Sequence, residues 1–498
     1  MQLFSLAKHY TEGMIFQRDR DILIQGEAFA PCEISASLGD DTASISAEAG
    51  LFSIKLPPRK ADCGLVLTVK AISGDTEQIT EFTEIYIGEV WFASGQSNMQ
   101  WPLHDTDEYR QNPVFKPNSD LRFYTVARNN VACPNAVGEN YNWVFQKDYG
   151  WVGCDEENAI NFSAVGYHFA HTLHEALGVP IGIISCNVGG SSIFSWIPQE
   201  AATQEIAHIW ENYEKTMTNT DTAKSQAEFQ AFLDEHAKTH DIANNVVGTS
   251  GEIPTVYYDK PGLYHFQNPS ILYHAMLERI STFPARGMLW YQGESEGWSV
   301  EGKNYAAALE SLVNNMKFRQ DNPDFAFNFV QIAPYHDPTA TNWARVNDQM
   351  RRFSLHHPDY GMITTGDVGC PKDIHPQRKQ PVGERLAYAA MHKSYDLPHE
   401  YTGPIAESAI RWGDEIRISF IHATDLHQRH MNPGRFELVY EDGNIKEAIP
   451  EIRDNAIYLP LQEGLTPEYV RYEFVTCAEI GLYNKYGYPA SQFELKVE

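Results

Sequence analysis

The segment EVWFASGQSNM, residues 89–99, sets the fold class that we predict for this chain of 498 residues. Its first part, VWFAS, is a short apolar run of the kind that forms a strand buried on both faces of a sheet. A glycine-containing turn follows at once and carries Ser97. The segment therefore predicts a strand of a parallel sheet that ends in a polar loop with a serine.

Farther along the chain, a helix followed by a buried strand recurs four times. The helix predicted from Ser163 to Leu177 has Ser163 as its N-cap, with Gly178 and Pro180 as stop signals. The other helices are predicted at 271–280, 305–316 and 343–353, and the strands at 181–185, 287–291, 325–332 and 361–366. This alternation predicts an α/β fold whose parallel sheet has five strands, counting the one before Ser97.

Short alternating runs flank this region on both sides. DILIQGEA at 21–28 and EIRISFIHA at 415–423 are examples, and such alternation is typical of antiparallel strands. We predict an N-terminal β domain over residues 1–88, an α/β domain over 89–400 and a C-terminal β region over 401–498. Within the α/β domain, residues 199–260 are polar and helix-prone, which predicts an insertion that is a candidate lid or subunit contact. A homo-oligomer is therefore left open.

Composition excludes several classes of function. The 38 Lys and Arg residues against 66 Asp and Glu give a net charge of −28, which repels nucleic-acid backbones and anionic membrane surfaces. No apolar stretch approaches the roughly 18 residues of a membrane span, and the N-terminal residues contain no apolar signal region. The seven cysteines form no CxxC pair. We therefore expect a cytoplasmic protein with reduced thiols, no cofactor and no metal site.

The loops at the carboxyl ends of the predicted strands carry the candidate chemistry, because ligands of open parallel sheets bind at that edge. Acyl transfer needs a hydroxyl nucleophile, an imidazole base, a carboxylate that orients the base, and donors for the oxyanion. We predict Ser97 as the nucleophile, His375 as the base and Asp373 as the acid. The predicted oxyanion donors are the backbone N–H groups of Ser97 and of Gly189 or Gly190, with the side-chain amide of Gln292.

Four ordered segments carry a resemblance to a known family. They are VWFASGQSNMQWPL (90–103), GVPIGIISCNVGGSSIFSWIP (178–198), LWYQGESEG (289–297) and DIHPQRKQPVGERLA (373–387), and the flanking MIFQRDRDILIQGEA (14–28) and LYNKYGYPASQFEL (482–495) extend it over nearly the whole chain. These segments resemble the sialate O-acetylesterase family of the SGNH-hydrolase superfamily. The resemblance implies an SGNH-type, flavodoxin-like parallel sheet with helices on both faces. It also implies a metal-independent ester hydrolase that removes O-acetyl groups from sugars.

Two departures from the superfamily pattern leave roles open. The acid often stands three residues before the histidine, where this chain has Lys372, so the acid is Asp373 or a residue elsewhere, with Asp367 the rival. QGES also replaces the usual block with an asparagine in the oxyanion hole. Gln292 therefore takes that role by similarity to the family alone, while Glu294 either binds substrate or braces its loop.

The substrate pocket is predicted from polar and aromatic residues in these loops. The candidates are Gln96, Asn98, Trp101, Tyr291 and Glu294. Aromatic faces suit the apolar side of a sugar ring, so Trp101, Trp196, Trp290 and Tyr291 are candidates for a stacking wall, although core packing is an equal alternative for each.

The function that we predict is a carbohydrate O-acetylesterase that works through a serine acyl-enzyme on a small-molecule or oligosaccharide acetyl ester. Sialic acid and xylan fragments are both open as the sugar, and Arg345 is a candidate partner for the sialic acid carboxylate. The alternatives are a non-catalytic carbohydrate-binding protein on an esterase-like scaffold and a lipase or thioesterase.

Overall fold

The computed structural model describes residues 2–111, 115–126, 150–239, 262–429, 432–461 and 466–498. Cys133 and residues 240–260 of the predicted insertion lie outside this part of the chain. Residues 199–239 of the insertion contain two helices, Ala207–Thr218 and Thr222–Thr239, as the sequence predicts.

The strands of the N-terminal region are β1 (Phe4–Leu6), β2 (Ile15–Gln17), β3 (Ile22–Ala28), β4 (Cys32–Leu38), β5 (Asp41–Ala47), β6 (Gly50–Leu56), β7 (Asp62–Ser73) and β8 (Thr76–Gly95). They pair antiparallel, as predicted, except that β2 runs parallel to β8. The first half of β8 pairs with β7, and its second half enters the central sheet between two later strands. The domain boundary predicted at residue 88 falls inside β8, so the division into domains stays a prediction.

The central sheet is mixed and contains all five predicted strands. Its further members are β9 (Asn118–Thr125), β10 (Trp151–Cys154), β11 (Ile181–Asn187), β12 (Gly287–Tyr291), β13 (Ala326–Val330) and β14 (Gly361–Ile363). The order is β10-β9-β11-β8-β12-β13-β14, with β10 antiparallel to β9 and the other neighbours parallel. Strand β9 was not predicted, because its run contains Arg122, whose buried guanidinium donates to the Gly13 carbonyl at 2.7 Å.

Helices cover both faces of this sheet. The described α-helices are α1 (Ser97–Gln100), α2 (Asp107–Gln111), α3 (Glu156–Ala159), α4 (Ala164–Leu177), α5 (Ala207–Thr218), α6 (Thr222–Thr239), α7 (Glu278–Ile280), α8 (Glu294–Gly297), α9 (Tyr305–Arg319), α10 (Trp343–His356) and α11 (Gln380–Ser394). Ser163 caps α4 by accepting from the Gly166 N–H, as predicted. The helix predicted at 271–280 is present over these residues and contains a π-helical turn, Tyr273–Leu277, before α7.

Alternate residues of β8 belong to two separate hydrophobic cores. Val90 and Phe92 lie in the core that includes α9 and α10, whereas Trp91 and Ala93 lie in the core that includes α4 and α11. Because side chains alternate across a strand, the sheet is buried on both faces. The loops at the strand ends are consequently the parts of the sheet that reach solvent.

The C-terminal region is antiparallel, as predicted. Its strands are β15 (Ile405–Trp412), β16 (Glu415–Ile421), β17 (His427–Gln428), β18 (Phe436–Val439), β19 (Ile445–Ala448), β20 (Glu451–Arg453), β21 (Ala456–Pro460), β22 (Tyr469–Tyr472), β23 (Leu482–Tyr483) and β24 (Phe493–Lys496). Buried Asp348 and Arg351 of α10 bond to the backbone of β24 and β15 and so anchor this region to the central one. Across the described ranges, no helix is long and apolar enough to cross a membrane.

The last residue of β8, Gly95, is a position where we expect a large loss of stability on substitution. Gly95 has φ +137°, and an added Cβ would lie 2.1 Å from the Tyr291 carbonyl oxygen of β12. We expect Gly95→Ala to lower the free energy of unfolding by about 2–4 kcal/mol in urea titrations, because both strain and overpacking act. Gly178→Ala is the matched control, since Gly178 is also left-handed but has open space around it, and it should cost about 1 kcal/mol. Equal losses in the two variants would contradict this account.

Candidate active site

The candidate site lies at the carboxyl end of β8, where the chain connections diverge to the two sides of the sheet. β8 pairs with β11 on one side and with β12 on the other. The three strand ends are joined by backbone bonds, from the Gln96 N–H to the Tyr291 carbonyl at 3.0 Å and from the Val188 N–H to the Gly95 carbonyl at 3.1 Å. Such a switch point is where open α/β sheets bind ligands.

Ser97 and His375 are in direct contact at this point. Ser97 is half-buried at the start of α1, and its Oγ lies 2.8 Å from Nε2 of His375, which comes from the loop between β14 and α11. The Trp101 ring stacks on the imidazole with ring centroids 4.9 Å apart and planes tilted by 23°. The serine hydroxyl therefore has a base within hydrogen-bond reach, and the base is held in orientation by an aromatic face.

Asp373 lies next to the imidazole, whereas Asp367 is engaged elsewhere. Asp373 Oδ1 accepts the backbone N–H of His375 at 2.9 Å and lies 3.9 Å from Nδ1, which is ion-pair distance but longer than a hydrogen bond. Both carboxylate oxygens of Asp367 accept from Arg385, at 2.8 and 2.6 Å. Of the two rivals, Asp373 is the carboxylate that faces the histidine.

Two of the predicted oxyanion donors already have partners within the protein. The Gly189 N–H donates to Oε1 of Gln100 at 2.9 Å. The fully buried Gln292 amide donates to the Ser191 carbonyl at 3.0 Å and to Glu296 Oε2 at 2.5 Å. Within the described part of the chain, the backbone N–H groups of Ser97 and the exposed Gly190 make no hydrogen bond.

The QGESE segment, residues 292–296, ties the neighbouring loops together through two buried carboxyl groups. Glu296 accepts from the Ser192 hydroxyl at 2.7 Å and from the Ile193 N–H at 3.0 Å. Glu294 accepts from Nδ2 of Asn98 at 2.5 Å. Burial raises the pKa of both carboxyl groups. Through this hydrogen bond to Asn98, Glu294 supports the loop that carries Ser97.

The other predicted pocket residues differ widely in exposure. Gln96, Asn98 and Tyr291 are all buried, with at most 3% of their surface exposed. Trp196 and Trp290 are fully buried and belong to the hydrophobic core, so core packing, and not sugar stacking, describes both of them. Of the four predicted wall residues, Trp101 is the one that is partly exposed.

The sequence analysis missed Lys379 as a member of the site. Lys379 is fully buried, and its Nζ donates to Oδ1 of Asn98 at 2.5 Å. Its only signal was its position, four residues after His375 in the quoted DIHPQRK, and a lysine is ordinarily exposed. Lys379 also affects the base, because burial first and the positive charge of Lys379 second lower the pKa of His375, against the opposing effect of Asp373.

Among the described side chains, no group of three or more His, Cys, Asp or Glu is arranged to hold a metal ion.

The fold and this site together define a class of protein. An α/β sheet whose carboxyl edge carries a serine hydrogen-bonded to a histidine is typical of hydrolases that transfer acyl groups. A family model described as "Carbohydrate esterase, sialic acid-specific acetylesterase" matches residues 87–234 and 260–392, which is more than half of the chain. The chain belongs to this family and is a carbohydrate acetylesterase.

Individual relatives and a solved structure agree with this assignment. The chain is 22% identical to the sialate O-acetylesterase of Rattus norvegicus over 81% of this chain and 76% of that protein. It is 23% identical to the sialate O-acetylesterase of Mus musculus over 75% of this chain and 69% of that protein. A carbohydrate acetylesterase of Xanthomonas citri has the same fold, with a TM-score of 0.77 at 23% identity, over 99% of this chain and 100% of that one.

Proposed function

We propose that this acetylesterase hydrolyses O-acetyl esters of sugars through an acyl-enzyme on Ser97. The observation that carries the proposal is the 2.8 Å contact between Ser97 Oγ and His375 Nε2 at the switch point of the sheet. The nitrogen of the base must lie within about 2.6–3.2 Å of the nucleophile's oxygen, and this contact lies within that range.

The proposed reaction has two halves that use the same histidine. Ser97 Oγ attacks the acetyl carbonyl carbon as His375 Nε2 takes the serine proton, and the imidazolium then returns that proton to the departing sugar oxygen. In the second half a water molecule attacks the carbonyl carbon of acetyl-Ser97 as His375 takes a proton from it. The imidazolium then gives this proton to Ser97 Oγ as the acyl C–O bond breaks, and acetic acid leaves and ionises to acetate. Asp373 stabilises the imidazolium, and its contact with Nδ1 shortens as substrate binds, since hydrogen bonds of unliganded sites are often long.

The oxyanion is assigned to backbone donors. The N–H groups of Ser97 and Gly190 are the predicted donors without a partner among the described residues. Each such donor contributes about 2.7–4 kcal/mol of transition-state stabilisation. Gln292, with both its amide hydrogens bonded within the protein, supports the loops that carry these donors.

The fold belongs, in this proposal, to the SGNH type. The five strands that the sequence predicts pair in the order β11-β8-β12-β13-β14. Numbered along the chain among themselves, this is 2-1-3-4-5, the order of flavodoxin-like sheets. The added strands β9 and β10 extend the sheet beyond β11.

O-acetylated sialic acid is the first substrate to test, because the rat and mouse relatives are named sialate O-acetylesterases. Arg345 is an unsuitable partner for the sialic acid carboxylate, since its guanidinium bonds to Glu494 Oε1 at 2.8 Å. We expect the protein to release acetate from 4-nitrophenyl acetate and O-acetylated sialic acid, and more slowly from acetylated xylo-oligosaccharides. Faster release from the xylo-oligosaccharides would make xylan fragments, in place of sialic acid, the proposed substrate. No release of acetate from any substrate would favour the alternative of a non-catalytic carbohydrate-binding protein.

The pH dependence of catalysis should report the environment of His375. A protonated imidazole cannot accept the serine proton, so activity is lost as the pH falls through the pKa of His375. Because burial and Lys379 lower that pKa below the ordinary 6.5, kcat/KM should exceed half of its plateau value at pH 6.5. Direct measurement of released acetate across pH 4–8 checks this expectation, and an acid limb centred at or above pH 6.5 would contradict it.

A further inference from the structure

Lys379 is a buried cation directly behind the nucleophile. Its Nζ bonds to Oδ1 of Asn98, the residue after Ser97, and lies 5.9 Å from the centre of the Trp101 ring and 5.5 Å from that of Tyr291. Lysine is among the residues that proteins bury least, since removing an ammonium from water is costly unless it is compensated. This position therefore calls for a specific explanation.

The Asn98 carboxamide connects this cation to a buried carboxyl group and to the histidine loop. Its Nδ2 donates to Glu294 Oε1 at 2.5 Å and to the carbonyl of Ile374 at 3.1 Å, while its Oδ1 accepts from Lys379. One side chain thus joins the serine turn, α8 and the loop that carries His375. Each polar atom of the carboxamide is bonded, whereas the second carboxyl oxygen of Glu294, Oε2, is buried without a partner among the described residues.

The charged groups around this network have opposite effects on the base. Burial lowers the pKa of Lys379 to about 7, whereas Glu294 of α8, Asp373 of the histidine loop and Glu108 of α2 oppose this shift and favour the protonated form. At His375 the positive charge of Lys379 disfavours a proton and Asp373 favours one. Ser97 and Trp101, which also pack against the imidazole, carry no charge.

We propose that Lys379 is a positioning residue that acts through Asn98. Its ammonium, balanced by Glu294 across the carboxamide, holds the Ser97 turn against the His375 loop and places a positive charge beside the imidazole. This inference rests on the proposed function of Ser97 and His375. It adds a part that neither the residue pattern nor the family match assigns.

The test is the pH profile of Lys379→Met, which keeps the length and the apolar stem of the side chain but removes the charge. We expect kcat to fall about 10- to 100-fold, since misplacement of a nucleophile by about 1 Å has effects of this size. We also expect the acid limb of kcat/KM to move to higher pH, because His375 loses a neighbouring positive charge. A purely structural role would reduce the amount of folded enzyme and leave this limb unmoved.

Lys372→Met is the matched control, because Lys372 is an exposed lysine of the same loop, three residues before His375. Water and salt screen its charge, so both kcat and the pH profile should stay at the wild-type values. The double variant Lys379→Met/Glu294→Gln should recover thermal stability lost in Lys379→Met, since it removes both buried charges together.

Two results would overturn the inference. One is a folded Lys379→Met enzyme with wild-type kcat and pH profile, and the other is an equal shift of the acid limb in Lys372→Met. Either result leaves the role of Ser97 intact. Failure of the proposed function is separate, since it would show as a wild-type protein that releases no acetate.

Discussion

Replacing Ser97 by alanine is expected to lower kcat for acetate release by about 10³-fold or more, the scale seen when an essential member of a serine triad is removed. The physical reason is that Oγ is the atom in contact with the base, at 2.8 Å from His375 Nε2. Without it, no acyl-enzyme can form, and the remaining acceleration comes from oxyanion donors and binding. KM should change little, because alanine removes a single oxygen from the pocket.

Ser295→Ala is the matched control for Ser97→Ala. Ser295 is a half-buried serine of α8 whose hydroxyl lies 3.5 Å from Gln96 Oε1, close to the site but not in contact with His375. Its removal should change kcat by no more than a few-fold. Steady-state kinetics with 4-nitrophenyl acetate would refute the nucleophile assignment if Ser97→Ala retained wild-type kcat, and mass spectrometry of the rapidly quenched wild type should show an added acetyl group on Ser97.

Local patterns were sufficient to predict the framework of the site. The apolar runs before Ser97 and at 181–185 and 287–291 become β8, β11 and β12, because a strand buried on both faces must be apolar throughout. Once those strands are parallel, their carboxyl ends meet at one edge, so the loops with Ser97 and His375 could be placed together before any contact was known.

The features that could not be predicted from the sequence depend on contacts between residues that are far apart in the chain. Arg122 in β9 and Lys379 in the histidine loop are buried by groups far away in the chain, and Lys379 and Asn98 are 281 residues apart. No periodicity carries that information, since a lone charged residue is normally solvated. Gln292 shows the same limit of prediction from sequence. Its side-chain amide was predicted as an oxyanion donor, but in the fold its hydrogens are bonded to Ser191 and Glu296.

The choice between the two candidate acids also depends on such partners, and replacing them is the second change for which we expect a large effect. Asp367 forms a bidentate ion pair with the buried guanidinium of Arg385, so both of its oxygens already accept a charged hydrogen bond, and such a pair is typical of a structural role. Asp373 has 37% of its side chain exposed and shares one loop with His375, so small movements of that loop can bring Oδ1 from 3.9 Å to bonding distance of Nδ1.

The two carboxylates should therefore respond differently to the same isosteric change. Asp373→Asn is expected to lower kcat by about 10²–10⁴-fold with little loss of stability, because a neutral amide no longer stabilises the imidazolium and can favour the wrong tautomer. Asp367→Asn should keep kcat within a few-fold but lose about 3 kcal/mol of unfolding free energy, since Arg385 stays buried without its counter-charge. Kinetics and urea denaturation on both variants separate the roles, and the reverse pattern would make Asp367 the acid.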